Sequence, residues 1–162
     1  MKEEPGCGGR CTTDRMVMTS GDAVGNPWIY CPAPNARARL RLFCFPYAGR
    51  GASVFRRWPH RMPPGVEVCA VQYPGREQRL REAPCTRMQA LVEGTVKAIR
   101  PHLDIPYVIF GHSLGALAGF EVTRQLRRDG CRQPQHLVLS GHRAPHLSVP
   151  YGPISHLPQG QF

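Results

Sequence analysis

Long apolar runs are missing from this sequence of 162 residues. No stretch is long enough to cross a bilayer, and no secretory signal follows the charged start at Met1 to Glu4. No internal repeat is visible either. These absences exclude a membrane-spanning or secreted class, and we expect one soluble domain of ordinary size with no membrane partner.

Acidic residues are scarce, with 11 Asp and Glu against 21 Lys and Arg, which gives a formal net charge of +10. The basic residues are almost wholly arginine and are scattered along the chain. No base-stacking motif or basic helix accompanies them, so we expect no nucleic-acid partner. The charge could attract an acidic protein partner. Equally, it could reflect only the amino-acid composition of an arginine-rich genome.

Paired cysteines at metal-ligand spacing are also scarce. The seven cysteines are an odd number, and several fall in predicted strands, where a reduced thiol behaves as a small apolar group. Cys7 and Cys11 have no second ligand pair near them, which argues against a zinc site. We therefore expect a reducing, cytoplasmic compartment and no metal.

One segment of the sequence combines a strand, a sharp turn and a helix. Residues 106–110 are short, apolar and β-branched, as in a buried strand, and residues 114–128 place apolar side chains at helical spacing. Between them stands Gly-His-Ser-Leu-Gly, the pattern of a nucleophile elbow, with Ser113 as nucleophile and Gly111 and Gly115 giving clearance. His112 completes the elbow. A glycine-rich turn with an inert serine is the alternative interpretation.

A second segment has the composition of an oxyanion loop. Phe45 to Gly51 contains a proline and two glycines after a predicted strand, so it can turn backbone amides toward the elbow. The amide of Tyr47 or Ala48 would supply one donor and that of Leu114 the other. An ordinary strand-to-helix connection is the alternative.

The remaining pattern alternates strands with helices. Strands are predicted at 37–45, 66–73 and 135–140, a short helix at 53–60, and a helix from about 86 to 100 that a capping box at Thr86 and Gln89 would open. This alternation predicts an α/β fold with a parallel sheet and flanking helices. Residues 1–27 lack periodicity and are predicted to be a disordered leader, and residues 28–162 to form the domain.

Several of these motifs together resemble one family, the type II thioesterases of polyketide and nonribosomal peptide synthesis, with the related fatty-acid-synthase thioesterase. The resemblance implies an α/β-hydrolase fold and hydrolysis of acyl thioesters from the phosphopantetheine arm of carrier proteins, without any cofactor. It covers the chain from about Trp28 to its last residue. The segments that carry it are Leu42–Gly49, Gln72–Arg76, Phe110–Ala116, Leu139–Pro145 and His156–Pro158.

The resemblance also indicates a truncation, because the chain stops at Phe162, before the family's C-terminal strands and most of its lid. In α/β-hydrolases the triad acid and histidine follow the serine on later loops. Matching positions are absent here. His142 and His146 are the histidines predicted nearest the active-site side, but a surface role is the simpler interpretation. The four aspartates offer no base-orienting partner; they are Asp14, Asp22, Asp104 and Asp129.

Three functional hypotheses follow from the motifs. The chain is part of a working thioesterase, or a noncatalytic remnant that still binds carrier proteins, or another α/β-hydrolase such as an esterase or acyltransferase. Because carrier proteins are generally acidic, Arg76, Arg79 and Arg81 are candidate contacts. We also expect the predicted strand at 135–140 to be an exposed apolar edge and the isolated chain to be marginally stable.

Overall fold

The computed structural model describes residues 26–144 and Leu147. In this part of the chain, strands alternate with two α-helices and short 3₁₀ segments. In chain order the main elements are β1 (Ile29–Tyr30), β2 (Leu40–Phe45), β3 (Val66–Val71), α1 (Met88–Ile99), β4 (Tyr107–His112), α2 (Leu114–Arg128) and β5 (His136–Ser140).

The strands form one sheet in the order β1-β3-β2-β4-β5. The four strands predicted from the sequence run parallel, with Phe43 of β2 beside Cys69 of β3 and Ile109 of β4. The sheet is nevertheless mixed, because the short β1 pairs antiparallel with β3. Two residues are too few to show the alternation by which a strand is recognised in a sequence.

Both faces of the sheet are covered, which explains why Leu42 to Phe45 are all apolar. Phe43 and Phe45 lie in the cluster formed with helices α1 and α2, whereas Leu42 and Cys44 lie in a second cluster on the opposite face. The second cluster is closed by the aromatic rings of Phe55, Trp58 and Phe110.

Two predicted helical features are wrong in detail. The helix predicted at 53–60 is two 3₁₀ segments, Ala52–Phe55 and Trp58–Arg61, and Pro59 stands in the first turn of the second. The capping box predicted at Thr86 is also absent, since α1 begins at Met88 after an extended Arg87 and no side chain caps it. Arginine has no short acceptor to reach the first amides of a helix, so the predicted start is two residues early.

The predicted leader lies outside the described residues except for its last two. Asn26 belongs to the fold: its side-chain amide donates to the Ala98 carbonyl at 2.9 Å and its Oδ1 accepts from the Trp28 amide at 3.1 Å. The ordered part therefore extends at least to Asn26.

The amino end of the sheet contains a buried network of charges. Arg41 donates to the Glu67 carboxylate at 2.7 Å and to the His102 carbonyl at 2.7 Å, and it forms an ion pair with Asp104. The other Glu67 oxygen accepts from the Asn35 amide at 2.9 Å. Side chains from three parts of the chain thus tie β2, β3 and the segment before β4 together.

At one edge of the sheet, β5 pairs with β4 alone among the strands of the described residues. Val138 is 46% exposed, which confirms the exposed apolar edge expected from the sequence. In the part of the chain that the structure describes, no helix has both the length and the apolar character to traverse a bilayer.

Candidate active site

Ser113 occupies the turn between β4 and α2 with φ 53 and ψ −117. Positive φ at a residue with a side chain is strained and is typical of functional sites. Backbone hydrogen bonds hold it: its amide donates to the Ser140 carbonyl at 2.8 Å, and its carbonyl accepts from the amides of Ala116 at 2.9 Å and Leu117 at 3.4 Å. This is the geometry that the elbow pattern predicts.

The two glycines of the elbow are required by close backbone contacts. A Cβ atom on Gly111 would lie 2.1 Å from the Gly115 carbonyl oxygen, and one on Gly115 would lie 2.1 Å from the Phe45 carbonyl oxygen. Strand β4, helix α2 and the end of β2 therefore meet backbone to backbone. A side chain at either position would collide with backbone, and this supports the prediction that these glycines give clearance.

The His112 side chain contacts β5 and the loop after β2, and it makes no hydrogen bond with the Ser113 hydroxyl. Its Nδ1 lies 3.1 Å from Ser140 Oγ, and its ring makes an edge contact with the Tyr47 ring at 5.8 Å. His142 Nδ1 lies 2.8 Å from the Arg143 carbonyl, and His146 lies outside the described residues. Across residues 26–144, no histidine hydrogen-bonds the hydroxyl of Ser113.

The candidate oxyanion loop begins at the elbow. The Phe45 carbonyl faces Gly115, and a turn follows in which the Arg50 amide donates to the Tyr47 carbonyl at 3.2 Å. Tyr47 and Ala48 are exposed. Leu114 is the first residue of α2, so its amide has no partner within the helix. The structure thus brings the loop and the start of α2 to the same end of the sheet as Ser113.

The segment just after this loop, Ala52 and Ser53, is bound by two side chains that the sequence motifs do not indicate. Gln72 accepts a hydrogen bond from the Ala52 amide, and Glu77 accepts one from the Ser53 amide. Gln72 lies in the segment Gln72–Arg76, which contributes to the family resemblance but has no predicted role of its own. Nothing in the local sequence indicates these contacts, because the partners lie 20 and 24 residues apart.

One candidate carrier-protein contact is wrong. Arg79 is 8% exposed, and its guanidinium lies 4.5 Å from the Trp28 ring centroid while bonding Glu82 and the Gln72 carbonyl. Its charge is used inside the fold, because the loop folds back over Trp28. Arg81 is exposed and Arg76 is half-buried, with one Arg76 nitrogen on the Gly75 carbonyl at 2.7 Å.

The sequence that forms the strained serine, the packed glycine pair and the loop after β2 matches one family model. The model is that of the thioesterase domain, and it matches residues 40–159, well over half of the chain. The chain belongs to the thioesterase family. Its fold is therefore a partial α/β-hydrolase thioesterase fold.

Known relatives of this thioesterase chain come from biosynthetic pathways. It is 44% identical over 137 residues to the gramicidin S biosynthesis protein GrsT of Aneurinibacillus migulanus, covering 85% of this chain and 54% of GrsT. It is 50% identical to the solved thioesterase RedJ of the prodiginine pathway in Streptomyces coelicolor, with a TM-score of 0.65, covering 69% of this chain and 42% of RedJ.

A further solved relative is the type II thioesterase BorB from the borrelidin biosynthetic cluster. It is 30% identical with a TM-score of 0.66, and the match covers 73% of this chain and 48% of BorB. The chain spans about half the length of the relatives it matches.

Proposed function

We propose that this chain is the nucleophile-bearing part of a serine thioesterase that removes acyl groups from the phosphopantetheine arm of carrier proteins. The observation that carries the proposal is Ser113, held at φ 53 in the elbow of a thioesterase-family chain. The relatives from gramicidin S, prodiginine and borrelidin biosynthesis favour polyketide or nonribosomal peptide synthesis as the setting.

The proposed reaction proceeds through an acyl-enzyme. Ser113 Oγ attacks the thioester carbonyl and loses its proton to a general base, while the amide of Leu114 and that of Tyr47 or Ala48 stabilise the oxyanion. The C–S bond then breaks and the thiolate takes up the proton as the free thiol. Water attacks the acyl-serine in the same way, which releases the carboxylic acid and restores the serine hydroxyl.

The general base and its orienting acid are proposed to come from sequence outside this chain. In α/β-hydrolases these groups follow the serine on later loops, and the chain spans about half the length of its relatives. Removing the histidine of a serine hydrolase costs about a millionfold in kcat, so activity of this chain by itself would be very low.

The proposed partner is an acidic carrier protein. The net charge of +10 would favour its approach, and Arg76 and Arg81 are the remaining candidate contacts of the original three. A cytoplasmic location is proposed with it, since the described cysteines are all free thiols and three of them are buried.

The deciding experiment compares hydrolysis of an acyl-carrier thioester by the wild type and by Ser113→Ala. Both are assayed as the 162-residue chain and as the full protein product of the gene. Thr123→Ala, which removes another hydroxyl from α2, is the matched control. We expect full-length turnover that Ser113→Ala loses and Thr123→Ala keeps.

Other outcomes would favour the alternatives. Turnover of simple oxygen esters in preference to carrier thioesters would indicate another α/β-hydrolase activity. If the full-length wild type is folded and inert but still binds carrier protein, the noncatalytic binding hypothesis replaces the thioesterase proposal. Ser113-dependent turnover by the 162-residue chain would show that a base lies within it.

A further inference from the structure

The candidate oxyanion loop, residues 46–51, is fixed at its two ends and exposed in its middle. At the incoming end Phe45 is fully buried, with its carbonyl against Gly115. At the outgoing end Ala52 is 1% exposed and begins a 3₁₀ segment. The positions of the Tyr47 and Ala48 amides therefore depend on how firmly these two ends are held.

Gln72 holds the outgoing end through a buried side-chain amide. Its Oε1 accepts from the Ala52 amide at 2.9 Å, and its Nε2 donates to the Arg76 carbonyl at 2.8 Å. The orientation of the amide follows from these partners, since a backbone N–H only donates and a carbonyl only accepts. Nε2 also donates to the Tyr73 carbonyl at 3.4 Å. Gln72 is 2% exposed, so loss of its bond to Ala52 would leave a buried amide group unpaired.

Glu77 binds the next residue of the same segment. Its Oε2 accepts from the Ser53 amide at 3.1 Å, and its Oε1 accepts from Ser53 Oγ at 2.5 Å. The segment begins after Gly51, which supplies no capping side chain, so Glu77 provides the carboxylate from another loop. Glu77 itself has φ 48, a strained backbone that persists where the surroundings hold it.

The side chains of Gln72 and Glu77 both lie close to Gly51. A Cβ atom there would lie 2.6 Å from Glu77 Cδ and 2.8 Å from Gln72 Nε2. The lack of a side chain at Gly51 therefore allows both contacts together. We refer to Gly51, Gln72 and Glu77 as the loop clamp.

We propose that Gln72 and Glu77 are positioning residues for the oxyanion hole, acting through the loop clamp on the amides of Tyr47 and Ala48. The proposal rests on the proposed thioesterase function. Gln72 binds Ala52 and Glu77 binds Ser53. Both contacts lie just beyond the loop, and neither side chain is placed at the reacting atoms. A misplacement of about 1 Å in a catalytic group can cost about a hundredfold in rate. Because the oxyanion forms only in the transition state, the loss should fall on kcat and leave KM unchanged.

The test measures kcat and KM for an acyl-carrier thioester, together with amide hydrogen exchange of residues 47–53, in the full-length protein. We expect kcat to fall about a hundredfold in Gln72→Ala and about tenfold in Glu77→Ala, with KM within about twofold. Glu77→Gln keeps an acceptor for the Ser53 amide and should recover part of the loss. Glu93→Ala removes an exposed carboxylate of α1 and is the matched control.

Faster exchange at Ala52 and Ser53 should accompany the loss of kcat. Should Gln72→Ala fail to fold, Glu77→Ala decides, because Glu77 is exposed. Wild-type kcat in Glu77→Ala, or unchanged exchange at Ala52 and Ser53, would overturn the proposal. Failure of the thioesterase function is a different result, in which the wild type itself lacks Ser113-dependent turnover. In that case the exchange rates still show whether the clamp holds the loop.

Discussion

The two ends of the sheet are held together by opposite means. At the amino end, the buried Arg41 and Glu67 pair with each other and with neighbouring backbone, so charged side chains fasten the strands. At the carboxyl end, Gly111 and Gly115 allow backbones to meet directly, and Ser113 is held in strained geometry. At the amino end, therefore, the polar groups are paired with one another and with backbone inside the fold.

The carboxyl end contains the polar groups of the candidate active site. Ser113 is half-buried, and the first amides of α2 have no helical partner. Such strain and unpaired donors cost stability, which the surrounding packing has to offset. The comparison indicates that the amino end contributes stability, whereas the carboxyl end contains the residues proposed for catalysis.

The largest expected effect is at the amino end. Arg41→Met leaves the Glu67 carboxylate buried without its guanidinium partner and should lower the free energy of unfolding by about 3–5 kcal/mol. Chemical denaturation measures this loss. The double variant with Glu67→Gln removes the stranded charge as well, so it should lose less than the sum of the single changes. A loss under about 1 kcal/mol for Arg41→Met would contradict the assignment.

At the carboxyl end, Gly115→Ala should cost about 3 kcal/mol, since its Cβ would meet the Phe45 carbonyl at 2.1 Å and backbone must move. Gly130→Ala is the matched control: φ is +65 there, but nothing lies within 4 Å of the added atom. Its cost should be about 1 kcal/mol, from backbone conformation alone. Equal costs in thermal or denaturant unfolding would rule out close packing as the reason for Gly115.

An exposed ion pair sharpens the comparison further. Arg100 pairs with Asp129 at the surface, and the Arg100 side chain is 52% exposed. Arg100→Ala should change the free energy of unfolding by less than about 1 kcal/mol, and less again at high salt. If its cost matched that of Arg41→Met, burial could not be the reason for the importance of the amino-end network.

The smallest expected effect is a dependence of stability on pH. Burial, and then the Arg41 charge, lower the pKa of His102, whose Nδ1 has no partner among the described residues. The unfolded chain therefore takes up a proton below about pH 6.5 that the folded chain resists, so stability falls as the solution is acidified from pH 7. His102→Phe should flatten the unfolding free energy between pH 7 and 5. An unchanged slope would contradict this origin.

The same network makes a second contribution at lower pH. Burial opposes ionisation of Asp104, but its bonds and charge interaction with Arg41 outweigh this and lower the pKa of the carboxyl. The stability that Asp104 contributes is present above its unfolded pKa and is lost as the pH falls through the lowered folded value.

Local pattern was enough to predict the elbow and the helix after it. The apolar spacing from Leu114 to Arg128 matches α2 from end to end, because helical periodicity is a property of neighbouring residues. The 3₁₀ segments near Trp58 and the uncapped start of α1 at Met88 were missed. The 3₁₀ segments depend on the packing of Phe55 and Trp58 against Phe110. The start of α1 depends on the extended backbone at Arg87.

By itself, then, the sequence determined the strand, turn and helix around Ser113, and the family to which they belong. Only the tertiary structure placed Gln72 and Glu77 against the residues just after the candidate oxyanion loop, turned Arg79 inward onto Trp28, and gathered the partners of Arg41. The separations range from 20 positions, between Ala52 and Gln72, to 63 positions, between Arg41 and Asp104. No periodicity reports such separations, because they depend on how the sheet brings distant strands and loops to the same end.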